Sequence, residues 1–210
     1  LHESKRLMVC AASTRDGEEE IILKAWKDLL LSNSFENAPL LCLVPRHPER
    51  FTEVADAIHL AGLKFRRRSE WSGVPIECAT LDVVLGDSMG EMPMYYSAAD
   101  LVVMGGSLLP FGGQNLIEAC AAGCPVLLGE HTYNFQQAAL DAIRAGAAKR
   151  IESDRFSSES IALTEILRAL LSNTAELGKM SEAAKTYSIE HQGATQRLLV
   201  ALEQQNSSLS

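Results

Sequence analysis

Short apolar runs recur along this chain and alternate with stretches of helical period. Residues 7–12, 40–44, 63–66, 81–85, 101–104, 125–128 and 147–151 each read as a buried strand, too short for a helix and bounded by turn residues. Between them the apolar spacing widens. Ile21, Ile22, Ala25, Trp26, Leu29 and Leu30 share one helical face behind Glu18-Glu19-Glu20, and those acids suit the positive end of a helix dipole. Phe51, Val54, Ala55 and Ile58 repeat behind Pro48, a residue fitted to a first helical position, and Gly62 ends that helix. Met92, Tyr95, Tyr96 and Ala99 predict a short helix, residues 115–122 another, and Thr132 or Asn134 caps a third that runs to Ala145.

Residues 67–80 are polar and irregular and read as a loop. Beyond Ser153 the pattern is helical to the end, with Ile161, Ile166, Leu167, Leu170 and Leu171 as one apolar set. Leu198, Leu199 and Leu202 belong to a final helix. Residues 1–205 are expected to form one domain and residues 206–210 a frayed tail. Strands and helices that alternate in this way predict an α/β fold: a Rossmann-like parallel sheet with helices on both faces. Ligands of such sheets sit beyond the carboxyl ends of the strands. The turns to inspect are therefore 13–17, 45–48, 86–91, 105–118 and 129–134.

Composition narrows the function. Hydrophobic residues make up 47% and charged residues 22% of the 210, as in a soluble globular fold. The formal net charge of −8 argues against general nucleic-acid binding, which needs a basic face, and leaves room for a local basic pocket. No apolar run reaches the roughly 18 residues that span a bilayer. The chain opens Leu1-His2-Glu3-Ser4-Lys5-Arg6 without Met and goes straight into a strand, so it is expected to be a piece of a longer protein. Cys10, Cys42, Cys78, Cys120 and Cys124 form no Cys-x-x-Cys pair. They read as buried free thiols, and no zinc-ligand spacing is present.

The glycine fingerprints of dinucleotide enzymes and of P-loop NTPases are both absent. The densest candidate chemistry is Gly105-Gly106-Ser107-Leu108-Leu109-Pro110-Phe111-Gly112-Gly113-Gln114-Asn115-Leu116-Ile117-Glu118. Its glycines let the backbone approach a ligand closely, the following helix start offers amides to a phosphate, and Glu118 can reach a sugar diol. A tightly packed connection with no ligand fits the same residues equally well. Pro45-Arg46-His47-Pro48 places a guanidinium at a strand end, where it can fork onto phosphate or carboxylate or pair with a nearby acid. Gly86-Asp87-Ser88-Met89-Gly90-Glu91 can read a pyrimidine through its main chain, or Asp87 or Ser88 can simply cap a helix. Ser13 and Arg15 can touch phosphate or belong to an ordinary helix cap. Arg66-Arg67-Arg68 is too short for a nucleic-acid patch and reads as a solvated strand end.

Taken in order, Ala12-Ser13-Thr14-Arg15-Asp16-Gly17-Glu18-Glu19, Val44-Pro45-Arg46-His47-Pro48, the turns at 86–91 and 105–118, and Gly129-Glu130-His131-Thr132-Tyr133-Asn134-Phe135 resemble one family. It is the carboxy-terminal half of the 3-deoxy-D-manno-octulosonic acid (Kdo) transferases. The resemblance implies one half of a GT-B glycosyltransferase: a donor domain that binds CMP-Kdo, with no cofactor and no metal. The amino-terminal half would bind the lipid IVA acceptor, supply the general base and touch the inner membrane. That places the full-length protein at the cytoplasmic face of the inner membrane, with this piece soluble and inactive alone.

By the same resemblance, the CMP contacts fall on Pro45, Arg46, Met89, Gly90, Glu91, Asn115, Leu116, Ile117 and Glu118. Ser13, Arg15, Gly106, Ser107, Gly113 and Gln114 are additional candidates. The chain departs from the family with Arg15 and Gln114 where His is usual and Leu116 where Pro is usual. Two other classes share these features: a GT-B-like enzyme of UDP-sugars, such as an epimerase, and a non-catalytic nucleotide-binding module.

Overall fold

The computed structural model describes residues 6–32, 34–71, 80–153 and 158–207, with side chains to residue 191. The elements in chain order are β1 (Met8–Thr14), α1 (Glu18–Leu31), β2 (Leu40–Pro45), α2 (Phe51–Leu60), β3 (Phe65–Arg67), β4 (Val83–Leu85), α3 (Met92–Ala98) and β5 (Leu101–Met104). There follow α4 (Ile117–Ala121), β6 (Val126–Leu128), α5 (Gln136–Arg144), β7 (Ala148–Arg150), α6 (Glu159–Leu171) and α7 (Thr174–Ser207). The seven strands form one parallel sheet in the order β3-β4-β2-β1-β5-β6-β7.

Both faces of the sheet are covered, which explains why its central strands are apolar at every position. Val9 and Ala11 of β1 join a core with α1, α2 and α6. Met8, Cys10 and Ala12 face the other way, into a core with α3, α4 and α5. Trp26 anchors the first core fully buried, and its indole N–H donates to the Asp82 carbonyl at 3.1 Å. Cys10, Cys42, Cys120 and Cys124 are buried free thiols, and Cys78 lies outside the described residues.

Several boundaries differ from expectation for identifiable reasons. β1 runs on through Ser13 and Thr14, which read as turn residues. Ser13 adopts a left-handed φ of 55°, and the β1–β2 register shifts between Ala12 and Thr14. Thr14 nevertheless stays in the sheet, because its carbonyl accepts the Arg46 N–H at 2.9 Å. The helix expected from Asn115 begins only at Ile117 and has five residues. Neither Thr132 nor Asn134 caps α5, which is entered through a 3₁₀ turn at Tyr133–Phe135. Ile161 is 37% exposed and so leaves the apolar set assigned to it. The backbone of α7 carries Leu198, Leu199 and Leu202 and extends past residue 204.

The topology fixes where a ligand can enter. β1 is flanked by β2 on one side and β5 on the other. Their following helices leave to opposite faces: α1 joins the first core and α4 the second. The loops after β1 and β5 therefore diverge at the carboxyl end of the sheet, and a crevice opens between them.

Candidate functional site

The floor of this crevice is made by one buried acid. Glu18, the first residue of α1, is fully buried, and four backbone amides converge on its carboxylate. Oε2 accepts the Arg15 N–H at 2.8 Å and the Gly106 N–H at 2.7 Å. Oε1 accepts the Leu108 N–H at 2.9 Å and the Leu109 N–H at 3.4 Å. Burial pushes the Glu18 carboxyl above the ordinary carboxylate value, and these amide bonds oppose that shift.

The glycine-rich turn thus spends its amides on the protein itself. Ser107 is equally committed: its hydroxyl donates to the Met104 carbonyl at 2.5 Å and accepts the Gly129 N–H at 2.8 Å. Of the candidates in this turn, Gly106 and Ser107 are structural in their polar groups, and Gly113 donates its N–H to the Gly106 carbonyl at 2.6 Å. Gly105 has a steric role, since a Cβ there would lie 2.3 Å from the Ser13 carbonyl oxygen. The packing reading of this turn describes residues 105–113 well. The amides beyond it, at Asn115, Leu116 and Glu118, have no acceptor among the described residues.

Neighbouring acids brace α1 against the β2 loop. Glu19 is buried, accepts the Thr14 hydroxyl at 2.7 Å and pairs with Arg50 at 2.9 Å. Arg50 also reaches Asp16 and Glu53. Arg15 lies across the crevice. It donates to His47 Nε2 at 3.1 Å, which requires that nitrogen to be unprotonated, and stacks its guanidinium 5.0 Å from the Phe111 ring centroid. Ser13 is buried at the end of β1, where β1 meets β5.

The third wall is the 86–91 loop. Asp87 and Ser88 do not cap α3. Asp87 accepts the Ser69 N–H at 2.8 Å and the Ser69 hydroxyl at 2.6 Å, and Arg67 stands 3.6 Å away. Ser88 donates to Glu91 and shares a hydrogen bond with the Tyr95 hydroxyl at 2.6 Å. Glu91 pairs with Arg68 at 2.8 Å. The basic run at 66–68 is therefore partly a set of struts to this loop, not only a solvated strand end. Gly90 turns the loop with a left-handed φ of 77°, and Met89 stands 66% exposed at its tip.

Tyr95 and Tyr96 of α3 are both buried. Burial and the charges of Cys42 and Glu91 push the Tyr95 phenol up to about 12, against the Ser88 hydrogen bond and Arg68. Burial raises the Tyr96 phenol further. Cys10, Glu118 and Cys124 add to that rise, and Arg46 opposes it. Arg46 directly follows β2, and Glu118 stands in the first turn of α4, after β5. Both side chains are exposed, and neither has a hydrogen-bond or ion-pair partner among the described residues. Between them, Asn115 caps its own turn by accepting the Ile117 N–H at 3.0 Å, Leu116 is buried, and Gln114 packs its carboxamide near Gly106. Pro45 ends β2 fully within the sheet.

A hollow of about 620 Å³ lies elsewhere. It is lined by Ile143, Lys149, Arg150, Glu165, Glu176 and Met180 along β7, α6 and α7. No group of three or more metal-ligating side chains occurs among the described residues. No described helix is long and apolar enough to cross a membrane.

No protein-family model matches the chain. It is 48% identical over 94% of its length to a 3-deoxy-D-manno-octulosonic acid transferase of Bordetella pertussis, and 38% identical over 97% to one of Haemophilus influenzae. It covers only 44% and 45% of those two proteins, so it spans less than half their length. The crystal structure of the C-terminal CMP-Kdo binding domain of WaaA from Acinetobacter baumannii superposes with a TM-score of 0.75 at 30% identity. That likeness covers 89% of this chain and 91% of that one. The seven-stranded sheet and its carboxyl-end crevice are the Rossmann-like half of a GT-B glycosyltransferase. With these relatives beside that geometry, the chain belongs to the 3-deoxy-D-manno-octulosonic acid transferase family.

Proposed function

We propose that this chain is the donor-binding, carboxy-terminal half of an inverting glycosyltransferase that moves Kdo from CMP-Kdo to a lipid IVA hydroxyl. One observation carries the reading. Arg46 follows β2 and Glu118 stands in the first turn of α4 after β5, both at the sheet's switch point, exposed and without partners among the described residues. A cation and an acid so placed fit opposite ends of a nucleoside monophosphate. Arg46 meets the phosphate, and Glu118 accepts the ribose hydroxyls.

The open amides at Asn115 and Leu116 add neutral donors to the phosphate. The exposed Met89 and the Gly90-Glu91 backbone suit the face and edge of cytosine. As the bond from the sugar's anomeric carbon to phosphate breaks, negative charge builds on CMP. Arg46 stabilises that charge, so it lowers the barrier to departure. This chemistry uses no cofactor, and we propose that it needs no metal. The acceptor, the general base that deprotonates it and the contact with the cytoplasmic face of the inner membrane belong to the amino-terminal half.

Calorimetric titration of the chain with CMP and with UDP, with and without EDTA, tests this reading. The expected result is binding of CMP in preference to UDP, unchanged by EDTA. Tighter binding of UDP would place the chain with enzymes of uridine donors and overturn the proposal.

A further inference from the structure

The glycine-rich turn after β5 looks like a phosphate cradle, yet its amides are already occupied by a carboxylate of the chain itself. Gly106, Leu108 and Leu109 all aim their N–H groups inward at Glu18, 88 to 91 residues earlier in the sequence. A cluster of amides from neighbouring residues that converge on one point makes an anion-binding concavity, or nest. Here the anion is internal, fully buried and fixed to the first turn of α1. An external phosphate is therefore displaced from this nest to the residues beyond it.

The nest is joined to those residues by a short path. Glu18 fixes the Gly106 amide, and the carbonyl of the same Gly106 accepts the Gly113 N–H at 2.6 Å. Gly113 is followed directly by Gln114 and Asn115, where the open amides begin, and Glu118 lies five residues on. The other arm of Glu18 fixes the Arg15 amide. One carboxylate thus holds both lips of the crevice, the β1–α1 turn and the β5–α4 loop.

We propose that Glu18 is a positioning residue for the donor: by filling the nest at Gly106–Leu109 it sets the place of the Asn115–Glu118 segment that meets the nucleotide. It touches no ligand itself. The role requires the two acceptor oxygens of a carboxylate. A glutamine of the same shape would turn an NH₂ group toward amide donors, and an alanine would leave the nest without its anion. This inference rests on the donor reading above for its ligand, but its structural half is independent of it.

Two measurements on the intact chain decide the matter. The first compares ligand-free amide spectra of wild type and Glu18→Gln. Shifts are expected to spread from residues 106–109 through 113–118. Shifts confined to residues 15–18 and 106–109, with 113–118 unmoved, would overturn the proposal. The second titrates CMP into wild type, Glu18→Gln and Glu18→Ala, each checked for cooperative unfolding. Glu18→Gln is expected to weaken CMP by about tenfold, the scale of a lost charge-assisted hydrogen bond.

Added formate is expected to restore CMP affinity in Glu18→Ala, because it refills the nest with a carboxylate. Formamide, equally small and neutral, should not. CMP binding by Glu18→Gln within twofold of wild type would overturn the positioning role. So would equal rescue by formamide, which would mean that only volume matters. Should Glu18→Ala fail to fold, Glu18→Gln alone decides through both readouts. Absence of CMP binding in the wild type would defeat the donor reading, while the ligand-free spectra would still decide the role of Glu18.

Discussion

Four acidic side chains at the crevice differ in what they hold, and burial tells them apart. Glu18 and Glu19 are buried with all their oxygens engaged, Glu91 is half-buried in an ion pair, and Glu118 is exposed without a described partner. Removing Glu118 or Arg46 therefore costs the fold almost nothing. Glu118→Ala and Arg46→Ala are each expected to shift the melting midpoint by about 2 °C or less. Under the proposed function, each should weaken CMP by about tenfold in calorimetry, because the protein loses a charged hydrogen-bonding group that faces the nucleotide. Arg50→Ala is expected to do the reverse. It strands the buried Glu19 carboxylate, and urea unfolding should register a loss of about 3 kcal/mol. The thiols follow the same logic. Burial lifts Cys120 and Cys124 to about 12, so neither forms thiolate near neutral pH. Peptide mapping after iodoacetamide treatment at pH 8 should find both unmodified in the native chain and modified after unfolding.

At the scale of elements, the site depends on how closely loops may approach. Gly105 lies against the Ser13 carbonyl, so Gly105→Ala forces β1 and the β5 loop apart. That should cost about 2 kcal/mol or more in urea unfolding, and undiminished stability would show that the loops can part freely. The strands and most helices were legible from apolar period alone, because a sheet covered on both faces demands uninterrupted apolar runs such as 101–104. Less legible were positions fixed by distant partners. Ser13 and Thr14 carry polar turn chemistry, yet β1 runs through both, and the Thr14 carbonyl accepts the Arg46 amide. Asp87 and Ser88 have the composition of a helix cap, yet Ser69 and Tyr95 take their oxygens. Glu18 read only as an acid suited to a helix start. Its long-range partners at 106–109 carry no side-chain signal, since the contacts are made by backbone amides. The glycine turn left two readings open for the same reason: its amides suit a phosphate cradle or tight packing, and only the fold reveals that a carboxylate fills them.

At the scale of the whole molecule, the fold is the Rossmann-like half of a GT-B glycosyltransferase. Its net charge of −8 is no obstacle to an anionic donor, because the charges that matter are local: Arg46 is open at the rim, while Arg15, Arg50 and Arg68 are held by their neighbours. The switch-point crevice and the two charges that lack partners among the described residues lie at the same rim of the sheet. Under the proposed function, the loops after β2, β4 and β5 converge there on one nucleotide. Titration of the isotopically labelled chain with CMP, followed by backbone amide signals, tests that claim most directly. Saturable shifts are predicted at Arg46, at Met89, Gly90 and Glu91, and at Asn115 through Glu118. Shifts that instead gather around the hollow at Ile143, Lys149 and Met180, leaving those three loops unmoved, would contradict it.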